Sequence, residues 1–205
     1  MAHKFFEDKI PQNGYTYEEY RKKTQERIEN TRPDKLSAKE SERFDFIKLN
    51  QHRSSRIDKC YEVADKLVKE INNIDEPELW MVITENWCGD SAQNLPYIAK
   101  IAKLNKNIDL RIILRDSHPE IMDFYLTNGT RSIPKLVVFD AEGNERFSWG
   151  PRPMEVQKLF EQWKAEGIVK PELYEKLHLW YSKDKGKSIE KEILHLIQNL
   201  NLKVV

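Results

Sequence analysis

Cysteine is scarce in this sequence, which has only Cys60 and Cys88 among 205 residues. A chain of this length buries a core without covalent cross-links, so the two thiols do not indicate a disulfide framework. In a reducing compartment, an isolated cysteine is more often inert or catalytic than bridged. We therefore expect a cytoplasmic protein with free thiols.

An excess of charge is also absent, because 34 basic residues balance 34 acidic ones. Nucleic-acid binders usually show a basic excess, so we expect no nucleic-acid partner. No apolar stretch reaches the ~18 residues that a membrane-spanning helix needs, and the first residues have no apolar run of signal-peptide length. We expect neither a membrane partner nor secretion.

Motifs for metals and cofactors are missing as well. The five histidines are scattered, and none forms a helix-face pair or a close cluster with cysteine. The sequence has no phosphate-binding or dinucleotide-binding glycine loop and no serine nucleophile elbow. We therefore expect no metal site and no cofactor.

The middle of the chain has the pattern of an α/β fold. Its first apolar run is nearly unbroken, which is typical of a strand buried on both faces. A helical pattern separates this strand from the next, which favours a parallel pair, and the turn at 140–144 predicts a hairpin. The order β-α-β-α-β-β-α indicates a small mixed four-stranded sheet with helices on both faces. The predicted strands are residues 79–84, 109–114, 135–139 and 145–149.

Helical patterns flank this core on both sides. Capping boxes begin at Thr16 and Ser37, and apolar residues over 57–71 recur at three- and four-residue steps, as in one amphipathic helix. Cys60 falls on the apolar stripe of that helix and is interpreted as a plain buried cysteine. We expect an N-terminal helical extension packed on the core, the core itself and a C-terminal helical extension. These three regions are residues 1–77, 78–166 and 167–205.

Cys88 lies where the first strand ends and a helix begins. The first N–H groups of a helix lack internal partners, and the helix dipole adds partial positive charge there. Both effects favour the thiolate, so we expect a lowered pKa of Cys88, and thiolate is the nucleophile of disulfide exchange. The neighbouring residues are polar, which indicates exposure. Trp87 would shield one side of the sulfur, and Gly89 would admit another backbone.

Residues 87–91, Trp-Cys-Gly-Asp-Ser, together with Pro96 in the following helix, resemble the thioredoxin active-site segment W-C-G-P-C and its helix-kinking proline. Residues 130–139 are similar to the family's segment before its third strand, whose proline, here Pro134, is cis and faces the active cysteine. Gly150 follows the hairpin where the family keeps a glycine. The resemblance covers the predicted core and implies a thioredoxin-like fold, and the helical additions look like those of a bacterial subgroup.

Two departures from the family pattern affect the chemistry. Ser91 stands where a dithiol thioredoxin has its second cysteine, so it forms no disulfide, but it would donate a hydrogen bond to the Cys88 thiolate. Asp90 replaces the motif proline, and its carboxylate suits the helix dipole but raises the pKa of the thiol as a like charge. The sequence does not decide which effect on Cys88 is larger.

The acid that the family buries on the first strand corresponds to Val82. The proton relay of a dithiol enzyme is therefore missing at that position. Glu85 is one substitute, and a solvent-facing Glu85 side chain is the alternative. Peroxidases of the superfamily usually carry a threonine at the position of Glu85, so a peroxidase ranks low among the hypotheses.

With these departures, the resemblance implies a one-cysteine mechanism. Cys88 and Ser91 are the predicted catalytic residues, and the predicted substrate is a protein or a low-molecular-weight thiol or disulfide. An external thiol, or Cys60 if it can reach, would release the mixed disulfide. The resemblance also implies that the Ile133 backbone pairs with a substrate strand. The predicted substrate contacts are Trp87, Gly89, Asp90, Ile133 and Pro134.

A second hypothesis is a thioredoxin-fold binding module or redox sensor, in which Cys88 is a modification site and not a catalyst. The loss of the second cysteine and of the buried acid supports this alternative. The helical additions would then build a partner surface or a homodimer interface.

Overall fold

The computed structural model describes residues 3–202 of the protein. Contacts between Cα atoms divide the chain into two compact units, with the boundary between Pro151 and Arg152. The described part of the first unit contains α1 (Lys4–Glu7), α2 (Tyr17–Asn30), α3 (Ala38–Cys60), α4 (Asp65–Asn72), β1 (Glu78–Thr84), α5 (Gly89–Ala102), β2 (Ile108–Leu114), α6 (Pro119–Met122), β3 (Lys135–Phe139) and β4 (Glu145–Trp149). The described part of the second unit contains α7 (Met154–Ala165), α8 (Lys170–Asp184) and α9 (Lys187–Leu202).

The four strands form one mixed sheet in the order β2-β1-β3-β4. β1 is parallel to β2 and antiparallel to β3, and β3 pairs antiparallel with β4. Val82, in the middle of β1, is level with Ile112 of β2 and with Leu136 of β3. The predicted mixed four-stranded sheet is confirmed.

Strand β1 lies between two other strands and is buried along its whole length. On one face of the sheet, Met81 and Ile83 join a core that includes Phe5 of α1 and residues of α6. Because side chains alternate along a strand, Trp80 and Val82 face the other side, where α5 packs against β1 and β2. Both faces of β1 are therefore covered, which explains its unbroken apolar run.

Both predicted capping boxes are present. The Thr16 hydroxyl accepts from the Glu19 N–H at 3.2 Å, and the Glu19 carboxylate accepts from the Thr16 N–H at 2.8 Å. Ser37 and Glu40 make the same reciprocal pair at the start of α3, at 3.4 and 2.9 Å. Helices α2 and α3 pack against each other, and α3 packs along α5. An N-terminal helix therefore lies beside the helix that follows the Cys88 motif.

The single helix predicted over residues 57–71 is wrong, because α3 ends at Cys60 and α4 begins at Asp65. Tyr61 is extended (φ −85°, ψ 133°), and its carbonyl accepts a hydrogen bond from the Lys100 ammonium at 2.5 Å. That carbonyl is therefore engaged outside α3, and Asp65 starts a new helix where its negative charge is favourable. Cys60 ends its helix and is exposed, so the prediction of a buried Cys60 is also wrong.

The described residues of the second unit form three helices. Val156 and Phe160 of α7 share an apolar cluster with Leu177 of α8. Asp184, the last residue of α8, accepts a hydrogen bond from the Ser188 N–H at 3.1 Å in the first turn of α9. This side chain satisfies a donor that the start of α9 leaves without a helical partner.

Two kinds of feature are not found within residues 3–202. None of the helices there is long and apolar enough to cross a membrane. In the same residues, no group of three His, Cys, Asp or Glu side chains is placed to hold a metal ion.

Candidate thiol site

Cys88 occupies the N-cap of α5, directly after the turn that leaves β1. Its backbone is extended (φ −79°, ψ 120°). The Cys88 N–H donates to the Glu85 carbonyl at 3.1 Å, and the Cys88 carbonyl accepts from the Ala92 N–H at 3.1 Å. The thiol therefore lies at the positive end of the α5 dipole, where the sequence placed it.

The segment before β3 faces the sulfur. Cys88 Sγ donates a hydrogen bond to the Ile133 carbonyl at 3.3 Å, and the Ile133–Pro134 peptide bond is cis. Gly150 has a φ of +112°, and a Cβ at this position would collide with the Pro134 carbonyl oxygen. A glycine is therefore required where the chain after β4 passes Pro134. The structure brings Cys88, Ile133 and Pro134 together, and their roles toward substrate stay predictions.

The loop that carries Cys88 is more buried than its polar sequence indicates. Asp90 and Ser91 are only 7% and 2% exposed. Trp87, Cys88 and Gly89 are half-buried. The prediction that polar residues around the thiol mark an exposed loop is therefore wrong for Asp90 and Ser91.

Helix α3 covers this loop. Asn50 Nδ2 donates to the Asn86 carbonyl at 3.1 Å, before the thiol in sequence. Ser54 Oγ donates to the Ala92 carbonyl at 3.3 Å, after it. Both donors are themselves buried. One face of α3 therefore bonds to the chain on both sides of Cys88.

The surroundings raise the pKa of the Cys88 thiol to about 11. Burial is the largest cause, because it removes the thiolate from water, and the negative charge of Asp90 adds to it. The hydroxyl and the N–H of Ser91 oppose the increase as donors to the thiolate. The expectation of a lowered pKa is wrong, since burial and Asp90 outweigh the helix start. The thiol is therefore protonated at neutral pH.

Ser91 is placed to assist the charged form of the thiol. Its hydroxyl oxygen is buried and has no hydrogen-bond partner among the described residues in this resting state. The same hydroxyl lies close enough to the sulfur to lower the pKa of Cys88. It is therefore a donor without a committed acceptor, placed near the sulfur.

Glu85 lies inside the protein and not in solvent. The residue is 6% exposed, and its Oε1 accepts a hydrogen bond from the Asp116 N–H at 2.9 Å. Burial raises the pKa of Glu85, while the bond from Asp116 and the guanidiniums of Arg43 and Arg115 oppose that increase. Of the two alternatives for this side chain, the solvent-facing one is therefore wrong.

Two arginines that the sequence analysis missed contact Trp87. The guanidinium carbons of Arg43 and Arg115 lie 4.7 and 4.8 Å from the centre of a Trp87 ring. Both guanidiniums also bond to the Asp116 carboxylate, each at 2.7 Å. Cation–π contacts of this kind contribute about 0.5–1 kcal/mol at exposed sites. The ring beside the Cys88 thiol is thus held by two cations that share one anion.

These contacts come from residues without a motif. Arg43 and Asn50 lie on α3, far from the Cys88 segment in sequence. The one available signal was that Asn50 follows Ile47 by three positions, which puts a polar residue on the buried face of the helix. No comparable signal marked Arg43 or Arg115.

Cys60 does not reach Cys88. The residue after it, Tyr61, bonds to Lys100 and packs on Tyr97 with 4.6 Å between ring centres. Tyr97 follows Cys88 by nine residues on α5, a rise of about 14 Å at ~1.5 Å per residue. Because a disulfide needs Cα atoms within ~7 Å, pairing of the two cysteines requires backbone movement.

The family assignment agrees with this geometry. A family model described as Thioredoxin matches residues 37–164, which is more than half of the chain. The protein therefore belongs to the thioredoxin family and has the predicted thioredoxin-like fold. The match begins at Ser37, so it includes α3. This membership supports a role in thiol redox chemistry in general. No curated protein matches the sequence.

Two solved structures are similar to this chain over most of its length. One is a protein of unknown function from Pseudomonas aeruginosa, with 19% identity over 92% of this chain and 95% of that one and a TM-score of 0.56. The other is an HIV epitope-scaffold, with 20% identity over 76% of this chain and 90% of that one and a TM-score of 0.55. At these identities the likeness supports the fold alone.

Proposed function

We propose that the protein is a monothiol exchange protein that uses Cys88 as its nucleophile. The observation that carries this proposal is a single thiol at a helix start that contacts the Ile133 carbonyl. Ser91 occupies the position of a second cysteine, and Cys60, at the end of α3, lies too far from Cys88 to replace it. The reaction therefore requires a thiol from outside the protein to complete a cycle.

The exchange step uses only thiols and a disulfide. The Cys88 thiol releases its proton to solvent, and the thiolate forms a new S–S bond with one sulfur of the substrate disulfide. The old S–S bond breaks, and the other sulfur leaves as a thiolate with the electron pair. An external thiol then releases Cys88 by the same exchange. Ser91 stabilises the thiolate by donating its uncommitted hydroxyl hydrogen.

The residues that border the sulfur are the proposed substrate contacts. Trp87, Gly89 and Asp90 border the sulfur on the α5 side, and the Ile133–Pro134 segment borders it on the β3 side. The protonated thiol donates a hydrogen bond to the Ile133 carbonyl. Loss of that proton leaves the carbonyl oxygen free to accept a hydrogen bond from a substrate backbone. We infer protein or low-molecular-weight disulfides as partners, in a bacterial cytoplasm, without cofactor, nucleic acid or membrane. A homodimer is not needed for this reaction.

The raised pKa of Cys88 favours a second candidate, a binding module or redox sensor. A thiol with a pKa of about 11 exchanges slowly at neutral pH, because little thiolate is present. The Ile133–Pro134 segment would then bind an extended peptide without turnover. Modification of Cys88 would add bulk beside that segment and reduce the affinity.

Turnover separates the two candidates. The protein is mixed with a glutathionylated peptide and excess glutathione, and released peptide is counted per mole of protein. The Cys60→Ser variant is the working background, and Cys60→Ser with Cys88→Ser is the control. Many equivalents of peptide that depend on Cys88 would support exchange. One equivalent at most, with stable modification of Cys88, would support the sensor.

A further inference from the structure

We propose that Arg43, with Arg115 beside it, is a specificity-determining site that selects disulfides carrying a carboxylate near the reacting sulfur. This inference rests on the proposed exchange function of Cys88. It adds a substrate class, anionic disulfides, to a site for which the sequence indicated no charge preference.

The two arginines lie together beside the residue that precedes the thiol. Each has its guanidinium carbon within 5 Å of the Trp87 ring centre, and Trp87 directly precedes Cys88. Arg115 Nη1 also donates to the Arg131 carbonyl at 3.2 Å. Arg131 lies two residues before Ile133, the acceptor of the thiol. We infer that a substrate that approaches the sulfur past Trp87 passes a guanidinium.

Arg43 is the member of the pair that can bind an anion. A guanidinium has five N–H donors. Arg43 uses one group, Nη2, toward Asp116, and its side chain is 44% exposed. Arg115 uses Nε, Nη1 and Nη2 within the protein and is 23% exposed. The planar fork of Arg43 therefore keeps donors for a carboxylate, which it can bind through two parallel bonds.

Among the ion pairs next to Trp87 and before Ile133, one more guanidinium than carboxylate reaches solvent. Glu85 and Asp90 are almost fully buried, and Asp90 interacts electrostatically with Arg53 of α3. Three guanidiniums and two carboxylates reach solvent around the site. They are Arg43, Arg115, Arg131, Asp116 and Asp123.

A pair of disulfide probes measures this preference. Dithiobis(nitrobenzoate) carries a carboxylate on each ring, and dithiodipyridine is neutral. Each forms an S–S bond to Cys88 and releases one coloured aromatic thiol or thione, so one assay gives both rate constants. Every variant also carries Cys60→Ser, because the exposed Cys60 would react with the probes. The ratio of the anionic to the neutral rate constant cancels any change in thiol reactivity.

The test compares Arg43→Gln with Lys48→Gln on the same helix. Lys48 is a matched control, because it is 43% exposed, bonds to Asp45 at 2.6 Å and lies 5.1 Å from the Phe44 ring centre. We expect Arg43→Gln to lower the ratio by up to about fivefold, the upper end of the range for one exposed ion pair, and Lys48→Gln to leave it unchanged. Added salt should lower the ratio in the parent protein.

Asp116→Asn is a second variant, and its expected change in the ratio of rate constants is opposite to that of Arg43→Gln. It removes the anion that both arginines share and keeps the backbone N–H that bonds Glu85, so we expect a higher ratio. An unchanged ratio in both Arg43→Gln and Asp116→Asn would overturn the inference. An equal decrease in Arg43→Gln and Lys48→Gln would overturn it too, since net charge alone would then explain the effect. If Cys88 reacted with neither probe, the proposed exchange function would fail, and this inference with it.

Discussion

The two cysteines of the protein lie at opposite ends of their helices. Cys88 is the N-cap of α5 and is half-buried, whereas Cys60 ends α3 and is exposed. The half-buried thiol has an acceptor in the Ile133 carbonyl and a donor in the Ser91 hydroxyl, and an aromatic ring precedes it. Exposure alone therefore does not indicate which thiol is surrounded by hydrogen-bonding groups and an aromatic ring. The surroundings that we propose to bind a substrate also reduce the amount of thiolate.

Removal of each thiol in turn tests this contrast most directly. We expect Cys88→Ser to reduce disulfide exchange to the uncatalysed background, because the hydroxyl is not a nucleophile for disulfides at neutral pH. Cys60→Ser should keep the parent rate. The readout is the rate of peptide release from a mixed disulfide, with mass spectrometry of the modified residue. Exchange that survives in Cys88→Ser and disappears in Cys60→Ser would reverse the comparison.

The pH dependence of alkylation gives the next largest effect. Because the pKa of Cys88 is raised to about 11, its labelling rate should climb about tenfold per pH unit through the mildly alkaline range. Asp90→Asn removes a like charge, so the pKa falls and labelling at neutral pH becomes faster. The measurement follows iodoacetamide adducts on Cys88 in the Cys60→Ser background. A plateau below pH 8 in the parent protein would contradict the burial effect.

The same shift has a consequence for stability. A thiol with a raised pKa binds its proton more tightly when folded than when unfolded. Its contribution to the free energy of unfolding is therefore complete below the ordinary pKa of 9.0 and is lost as pH rises through about 11. Urea unfolding at several alkaline pH values checks this sign. Cys88→Ser should show a smaller loss of stability over that interval.

We expect Ser91→Ala to slow the labelling of Cys88, whereas Asp90→Asn speeds it, and the change should be smaller than that in Asp90→Asn. The variant removes a donor to the thiolate, so the pKa of Cys88 rises further. Hydrogen bonds to charged groups are worth roughly 1.5–3 kcal/mol, so labelling at fixed pH should fall by at least about tenfold. Ser182→Ala is the control, because its hydroxyl donates to the Leu179 carbonyl within α8 and not to sulfur. Equal rates in the two alanine variants would exclude this role of Ser91.

Asn50→Ala tests the contact through which α3 covers the loop that carries Cys88. Asn50 is 3% exposed, and its loss leaves the Asn86 carbonyl without that donor. We expect a loss of about 1–3 kcal/mol in the free energy of unfolding and a few-fold faster labelling of Cys88. Asn30→Ala is the matched control, because Asn30 makes an exposed bond to the Glu26 carbonyl. Urea unfolding and iodoacetamide labelling provide the two readouts, and unchanged labelling would mean that α3 does not restrict access.

The parts of the fold with local signals could be predicted from the sequence. The apolar run of β1 and the reciprocal pairs of Thr16 and Ser37 each concern residues a few positions apart. Cys88 could be placed at a helix start for the same reason. The resemblance to thioredoxins added the facing Pro134, which no local pattern contains.

The errors came from contacts between distant parts of the chain. The helix break after Cys60 depends on Lys100, which bonds the Tyr61 carbonyl from another helix. Helix α3 covers the loop that carries Cys88, and burial of the thiol raises its pKa, against the direction expected from the helix start. A polar loop looks exposed in a sequence until the element that covers it is known.

Helix α3 makes the thiol site a composite of two distant stretches of sequence. A chimaera that received residues 87–91 without α3 would have the same five residues, but its cysteine sulfur would be more exposed to solvent. A replacement of α3 would change the pKa of the Cys88 thiol without altering any residue of the motif. For this protein, relatives that share the motif but differ along α3 should therefore not be assumed to share its acidity or its choice of substrate.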